Sequence, residues 1–279
     1  MMLAAGFFAM AVVWVVNAPV ADMLSGPSAE ADMVSQAVFG TAVESIEERG
    51  EWMRIRTPDG YEGWVQAPDL ARRAEPYAQE AAVWVESLFA NLYAEPDVTT
   101  RRPLLTVPYG ARLEPAGEPA GEEERWLQVA LPDGRRAWIQ RGDLRFDDEA
   151  LSIGEVIALA RRFVGLPYLW GGVSSFGFDC SGFTQMLCRR RGIRIPRDSG
   201  PQARWKGMQP IRRADLEPGD LLYFGKSEDK ITHTGMYIGG GEFIHATAYR
   251  RPMVQISRLD APHWSGLLVA CRRPKGTER

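Results

Sequence analysis

The chain has 279 residues, of which 45% are hydrophobic and 25% are charged, and its formal net charge is −3. This length allows two or three modest domains, because single hydrophobic cores usually close at roughly 100–150 residues. The charge is balanced and no cluster of lysine and arginine stands out, so nucleic acid is not an expected partner.

The three cysteines are Cys180, Cys188 and Cys271, an odd number without a CxxC pair. This pattern gives neither a disulfide framework nor a zinc site, so we expect no metal and no cofactor. A chemical role for one of these cysteines as a free thiol is left open.

The first sixteen residues, MMLAAGFFAMAVVWVV, carry no charge. They are similar to the apolar region of a signal peptide, but the usual basic region is missing, and the run is too short to span a bilayer. Its last part also has the pattern of a strand. Two interpretations are open: a trimmed export signal over residues 1–10, which slightly favours the cell envelope or secretion over the cytoplasm, or the start of a β domain.

One segment of the chain occurs twice. WMRIRTPDGYEGWVQAPDL at 52–70 returns as WLQVALPDGRRAWIQRGDL at 126–144. Each copy alternates apolar and polar residues around a Pro-Asp-Gly turn, which is typical of a half-buried β-hairpin. We therefore predict two small β-barrels, over 10–73 and 76–147, and each resembles the bacterial SH3-like module found beside cell-wall hydrolases.

Beyond the second repeat the pattern changes. Ser152 and Glu155 have the spacing of a capping box, and apolar residues follow at helical intervals up to Gly165, which predicts an amphipathic helix. A glycine-rich loop leads to a second helix that starts at Cys180, and the remainder has the pattern of strands separated by turns. Helices followed by a meandering antiparallel sheet define an α+β domain, which we place at 150–275.

Cys180 lies in the stretch FDCSGFTQ, in the first turn of the second predicted helix. Unpaired N–H groups and the positive end of the helix dipole lower the pKa of a thiol at such a position. Asp179 is suited to the N-cap. A lone cysteine is more often a small buried apolar side chain, so a catalytic role requires a base nearby.

Two of the three histidines, His233 and His245, flank the stretch GMYIGGGEFI. With residues 239–241 as a hairpin turn, both lie on neighbouring antiparallel strands, and their even spacing brings them to one face, opposed or one diagonal step apart. We expect His233 to be the base and His245 to orient it, although spacing alone does not decide which ring faces the sulfur. A zinc site and plain surface histidines are the competing interpretations, and His263 is given a structural role.

Five short elements follow one another in the C-terminal half: GLPYLWGG, DCSGFTQ, GIRIPRDSGPQ, LEPGDLLYFG and HTGMYIGGGEFIHA. Their order and spacing resemble the NlpC-type bacterial cell-wall cysteine peptidases, and among these the γ-D-glutamyl-L-diamino-acid endopeptidases with two N-terminal SH3-like modules. The resemblance implies a papain-like domain with Cys180 as nucleophile, His233 as base and His245 as orienting residue. The candidates for the oxyanion hole are the backbone N–H of Cys180 and the hydroxyl of Tyr168.

Enzymes similar to this one cleave the bond between γ-D-glutamate and the diamino acid of peptidoglycan stem peptides, and those with the leading module require a free N-terminal L-alanine. The resemblance implies an anionic site for that amine at Asp179 and contacts to the stem peptide from Ser181 and Ser199. It also implies that Tyr61 of the first module closes the pocket. Arg135 stands at the matching position of the second repeat, so only the first module is expected to reach the site.

One position departs from the family pattern. Relatives often have a glutamate, which helps to bind the amine, where this chain has Gly26 before Pro27. Either Glu30 or Asp22 substitutes for it, or the preference for free L-alanine is relaxed.

Two other functions remain as alternatives: a peptidoglycan-binding protein with a silent catalytic domain, and a Cys-His amidase or acyltransferase on another substrate. The presence of Cys180, His233 and His245 argues against a silent domain. Binding of proline-rich peptides by the barrels has no supporting motif. The sequence decides neither between lysine and diaminopimelate as the diamino acid nor the oligomeric state.

Overall fold

The computed structural model describes residues 12–79 and 82–276. Two β-rich modules precede an α+β domain, which confirms the predicted fold class. Residues 1–10, with the question of the export signal and the predicted start of the first module, lie outside the described residues. The predicted domain limits at 73, 76, 147 and 150 stay predictions. No helix in the described part of the chain is long and apolar enough to cross a membrane.

The first module is a sheet of seven strands in the order β3-β2-β6-β5-β4-β1-β7. The strand expected at the end of the apolar N-terminal run is β1, and the predicted hairpin around the Pro-Asp-Gly turn is β5-β6. The strands are β1 (Val13–Val16), β2 (Val20–Leu24), β3 (Met33–Val38), β4 (Ala42–Arg49), β5 (Trp52–Arg56), β6 (Glu62–Gln66) and β7 (Leu70–Arg73).

The second module repeats the hairpin with the same register. Trp126 pairs with Gln140 as Trp52 pairs with Gln66, so the sequence repeat is also a structural one. The module has a five-stranded sheet in the order β13-β12-β11-β8-β14 and the pair β10-β9. Its strands are β8 (Val83–Val85), β9 (Phe89–Leu92), β10 (Leu105–Pro108), β11 (Arg112–Pro115), β12 (Trp126–Ala130), β13 (Arg136–Gln140) and β14 (Leu144–Arg145).

The third unit places its helices against a six-stranded antiparallel sheet in the order β17-β22-β18-β19-β20-β21. Its first helix carries the predicted capping box, in which Ser152 and Glu155 hydrogen-bond each other's backbone N–H. The helices are α1 (Ile153–Arg162), α2 (Cys180–Arg190), α3 (Ser199–Ala203) and α4 (Pro262–Leu267). The strands are β15 (Val173–Ser174), β16 (Gly177–Phe178), β17 (Met208–Pro210), β18 (Leu221–Gly225), β19 (Ile231–Gly239), β20 (Glu242–Thr247), β21 (Met253–Arg258) and β22 (Leu268–Pro274).

The sheet is a meander only from β18 to β21. The last strand, β22, pairs with the free edge of β18 instead of following β21. The short helix α4, which was not predicted, separates β21 from β22 and gives the chain the length to cross the sheet. The glycine-rich loop before Cys180 also contains a small hairpin, β15-β16, which was not predicted.

An aromatic residue before a glycine joins each module to the unit that follows it. Phe39 of the first module is 1% exposed and belongs to the hydrophobic core of the second. Tyr109, its counterpart in the second module, is 4% exposed and belongs to the core of the α+β domain, where it meets Phe163 edge to face at 5.3 Å. A Cβ atom at Gly40 would lie 2.0 Å from the carbonyl oxygen of Arg112, so only glycine allows the approach of the second module.

These shared cores imply that the three units stabilise one another. A prediction follows for Tyr109, whose buried hydroxyl has no hydrogen-bond partner among residues 12–79 and 82–276. Tyr109→Ala removes a buried ring and should lower the free energy of unfolding by about 3–5 kcal/mol. Tyr109→Phe keeps the ring and removes only the unpaired hydroxyl, so it should be neutral or slightly stabilising. Urea titration of both variants, followed by fluorescence, measures the difference; a Phe variant as unstable as the Ala variant would contradict it.

Candidate active site

Helix α2 begins at Cys180, and its N-terminus forms the floor of a cleft. Asp179 is the N-cap, as expected, and its Oδ1 accepts a hydrogen bond of 2.7 Å from the N–H of Gly182. Strand β19 packs against this helix, and the backbone N–H of Thr234 is close enough to the sulfur to favour its ionised form. The thiol therefore lies beside the strand segment that carries His233.

The resting charge of the thiol differs from the prediction. Burial, and then the negative charge of Asp179, raise the pKa of Cys180 to about 12, although hydrogen bonds from Thr234 and Ser181 act in the opposite direction. The favourable groups at the helix N-terminus are present, but the removal of the thiol from water outweighs them. The expectation of a lowered pKa was wrong, and the resting sulfur is a neutral thiol.

The two histidines are hydrogen-bonded to each other. Pairing of Met236 with Ile244 continues the register so that Gly235 faces His245, and His233 lies one diagonal step further along. The distance between Nε2 of His233 and Nδ1 of His245 is 2.7 Å. Residues 239–241 all have positive φ angles and form the turn that sets this register.

Burial keeps both imidazoles neutral. It lowers the pKa of His233 to about 3, with a smaller contribution from His263, and lowers the pKa of the fully buried His245 well below its ordinary value. Trp264 covers both rings: it stacks on His233 at 5.1 Å and meets His245 edge-on at 4.8 Å. This apolar cover excludes water from the hydrogen bond between the histidines, which strengthens it. His263 stacks on Tyr249 with centroids 3.7 Å apart.

A buried ion pair lies behind the helix N-terminus. Nη2 of Arg197 is 2.6 Å from Oδ2 of Asp179, and Nη1 donates to Oδ1 of Asp179 at 3.0 Å and to the hydroxyl of Ser181 at 2.9 Å. Arg197 is 3% exposed and Asp179 is 8% exposed. Most of the hydrogen-bonding capacity of Asp179 is thus occupied and its charge is neutralised.

The first module contributes directly to the site. Nε of Arg197 donates to the hydroxyl of Ser35 on β3 at 3.0 Å, and the side-chain oxygen of Gln36 accepts from the N–H of Val173 at 3.2 Å. A further bond between the two units runs from Gln185 of α2 to Asp59 in the Pro-Asp-Gly turn, at 2.9 Å. These bonds hold Tyr61, two residues after Asp59, at the wall of the cleft.

The cleft has a volume of about 180 Å³ and combines residues of the first module with residues of the α+β domain. Five of the predicted site residues besides Cys180 line it, and Trp170 stands at its rim with 70% of its surface exposed. The full lining is Val34, Tyr61, Tyr168, Trp170, Asp179, Cys180, Ser181, Asp198, Ser199 and Thr232.

Asp198 is the cleft carboxylate that the sequence analysis did not assign. No side chain of opposite charge forms a salt bridge with it among the described residues, and the hydroxyl of Tyr61 is a neighbouring polar group that influences its pKa. Burial raises the pKa of Asp198, and the positive charge of Arg197 opposes this effect. The motif PRDS contained both residues, but only a structure reveals that Arg197 points inward and Asp198 to the cleft.

The residues considered as substitutes for the missing glutamate do not line the cleft. Glu30 is exposed and bonds to Ser28, whereas Asp22 accepts from Gln36 at 2.8 Å. Arg135 of the second repeat pairs with its neighbour Asp133 at 2.7 Å. Within the described ranges, no three His, Cys, Asp or Glu side chains come together as a metal site would require.

The fold and the site define a papain-like cysteine peptidase. The model of the NlpC/P60 family matches residues 165–273, and that of the bacterial dipeptidyl-peptidase Sh3 domain matches residues 23–70. The gamma-D-glutamyl-L-lysine dipeptidyl-peptidase of Bacillus cereus is 34% identical over 256 residues, which cover 86% of this chain and 74% of the relative. The Bacillus subtilis protein of the same name is 33% identical over 251 residues, which cover 86% of this chain and 80% of that relative.

Among solved structures, an NlpC/P60 family protein from Bacillus cereus superposes with a TM-score of 0.80 at 28% identity, covering 94% of this chain and 99% of that one. The chain belongs to the NlpC/P60 family. It is a hydrolase of the cysteine peptidase class, in the peptidoglycan-related branch that carries SH3-like modules.

The buried ion pair gives a stability prediction. Arg197→Gln leaves the buried charge of Asp179 uncompensated and should lower the free energy of unfolding by about 3–5 kcal/mol. Adding Asp179→Asn removes that charge, so the double variant should be less unstable than the sum of the two single changes. Arg212→Gln, which breaks an exposed pair with Asp215, is the control and should cause no measurable change. If the changes in the free energy of unfolding, measured by urea titration, add strictly in the double variant, Arg197 and Asp179 are not coupled.

Proposed function

We propose that the protein is an endopeptidase that hydrolyses the bond between γ-D-glutamate and the L-diamino acid of peptidoglycan stem peptides with a free N-terminal L-alanine. The observation that carries this proposal is the cleft itself, in which a cysteine at a helix N-terminus shares one small cavity with an unneutralised carboxylate and a tyrosine of the first module. The names of the relatives from the two Bacillus species, which specify a γ-D-glutamyl-L-lysine bond, support the same substrate class.

In the proposed reaction, His233 removes the proton of Cys180 while the sulfur attacks the γ-carbonyl carbon. Because the thiol is neutral at rest and the imidazole is a weak base, proton transfer and attack are expected to occur together. Nε2 of His233 is occupied by His245, which leaves Nδ1 for the sulfur. The resulting imidazolium protonates the leaving amine, and water then hydrolyses the thioester with His233 again acting as base.

The oxyanion of each tetrahedral intermediate needs donors that are already in place. The backbone N–H of Cys180 is free for this role because it belongs to the first turn of α2. The hydroxyl of Tyr168 faces the same cleft, and burial followed by the negative charge of a Cys180 thiolate raise the pKa of Tyr168, so the hydroxyl stays protonated and able to donate.

The amine of L-alanine is assigned to the end of the cleft formed by Asp198 and Tyr61. Asp179 lies close by, but Arg197 already neutralises it, so Asp198 is the stronger acceptor for an ammonium group. In this assignment, Asp198 takes the role of the glutamate that relatives often have where this chain has Gly26. Ser181 and Ser199, which also line the cleft, are proposed to contact the backbone and carboxylate of the stem peptide.

A panel of tripeptides tests the proposal. L-Ala-γ-D-Glu with lysine or diaminopimelate should release the diamino acid, whereas the same peptides with an acetylated alanine should be cleaved at least ~100-fold more slowly. Cys180→Ala should lose activity by ~10⁴-fold or more. Mass spectrometry of the products identifies the bond. Equal turnover by wild type and Cys180→Ala, or cleavage at another bond, would overturn the assignment.

Substrate affinity should depend on pH through Asp198. The ammonium needs an ionised carboxylate, and the pKa of Asp198 is raised, so KM should increase as the pH falls through that raised value. Asp198→Asn should raise KM at neutral pH by about 10- to 100-fold, and the increase of KM at acidic pH should disappear. Tyr61→Phe keeps the aromatic ring in the wall of the cleft but removes the hydroxyl, and it should raise KM less than Asp198→Asn does. If KM of Asp198→Asn still increases at acidic pH as in the wild type, another group is responsible for the titration.

A further inference from the structure

The hydrogen-bonded chain of the histidines has a third member. Nε2 of His245 is 2.9 Å from the hydroxyl oxygen of Ser257 on β21, the edge strand of the sheet. Together the groups form a continuous row, from His233 through His245 to Ser257. His245 is fully buried, so each of its ring nitrogens must find its partner within the protein.

A neutral imidazole carries one proton, so the row has two possible arrangements. In the first, His245 is protonated on Nε2 and its Nδ1 accepts a hydrogen bond from the Nε2–H of His233, which leaves Nδ1 of His233 with a lone pair. In the second, His245 is protonated on Nδ1 and donates to His233, whose proton then lies on Nδ1. Only the first arrangement lets His233 take the proton of Cys180.

The first arrangement needs an acceptor for the buried Nε2–H of His245, and Ser257 is the group at hydrogen-bonding distance. Without an acceptor, that arrangement would bury an unpaired N–H group. The second arrangement would bury only an unpaired lone pair, and unpaired buried N–H groups are the rarer of the two in proteins. The same acceptor is needed when His233 becomes an imidazolium, because His245 must then still present its Nδ1 lone pair.

We propose that Ser257 is a positioning residue of the reaction: by accepting a hydrogen bond from the Nε2–H of His245, its hydroxyl makes available the tautomer in which His233 is a competent base for Cys180. Ser257 touches neither the cleft nor the sulfur, and it acts through His245. The inference rests on the proposed catalytic roles of Cys180 and His233 for its effect on rate. Its effect on the tautomer is independent of them.

The test compares Ser257→Thr with Ser257→Val. The two variants have the same shape and both suit a β-strand, but only threonine keeps the hydroxyl. Ser257→Thr should retain kcat within about threefold. Ser257→Val should lose kcat by about 10- to 100-fold relative to Ser257→Thr with KM changed less than about twofold; this is the range found when the hydrogen-bond partners that orient metal-bound histidines are removed.

A second readout separates positioning from general damage. The chain has only three histidines, so ¹⁵N-labelled histidine gives a simple spectrum of ring nitrogens. His245 should be protonated on Nε2 in the wild type and in Ser257→Thr, and on Nδ1 in Ser257→Val. Thermal unfolding should leave the Thr and Val variants equally folded at the assay temperature.

The outcomes are distinguishable. A Val variant with the wild-type tautomer and the kcat of Ser257→Thr would overturn the role of Ser257. A Val variant with a changed tautomer but full kcat would also overturn it, and would show in addition that His233 is not the base. A change of tautomer together with the loss of kcat supports both assignments.

Discussion

The buried ion pair between Arg197 and Asp179 is the interaction on which the site depends. It ties the N-terminus of α2 to the segment that precedes α3, and the remaining donor of Arg197 reaches Ser35 of the first module. A buried pair of this kind is tolerated only when both charges and their hydrogen bonds are complete. The cleft is therefore complete only with the first module in place. Because the pair neutralises Asp179, the free negative charge in the cleft belongs to Asp198.

Among its described residues, the second module contributes no side chain to the cleft, yet it supports the loop that leads to Cys180. The hydroxyl of Ser175, at the tip of hairpin β15-β16, donates to the carbonyl of Leu88 and accepts from the N–H of Tyr109 at 3.0 Å. Beside it, Phe89 and Phe176 stack with centroids 5.7 Å apart. One module thus forms a wall of the cleft, whereas the other holds the hairpin before the nucleophile. This division explains why two copies of one hairpin carry Tyr61 and Arg135 at equivalent positions.

Local patterns predicted most of the framework. The repeated hairpin, the capping box of α1 and the shared face of His233 and His245 follow from periodicity and turn chemistry within a few residues. The missed features depend on contacts between distant segments. The raised pKa of Cys180 results from burial under neighbouring elements, and the position of the Asp198 carboxylate in the cleft lining results from the inward turn of Arg197 toward Ser35. The crossover of β22 depends on which sheet edge is free, and no local signal encodes that.

In the proposed reaction, Cys180 forms a thioester with the γ-carboxyl group of D-glutamate. Rapid acid quenching during turnover of L-Ala-γ-D-Glu-L-lysine, followed by peptide mapping with mass spectrometry, detects that intermediate directly. We expect an L-Ala-γ-D-Glu adduct on the peptide that contains Cys180. In a His233 variant that is acylated with an activated ester of the same dipeptide, the adduct should accumulate further, because hydrolysis of the thioester also needs His233 as base. An adduct on Cys188 or Cys271, or hydrolysis with no adduct on Cys180 under conditions that trap acyl-enzymes, would contradict it.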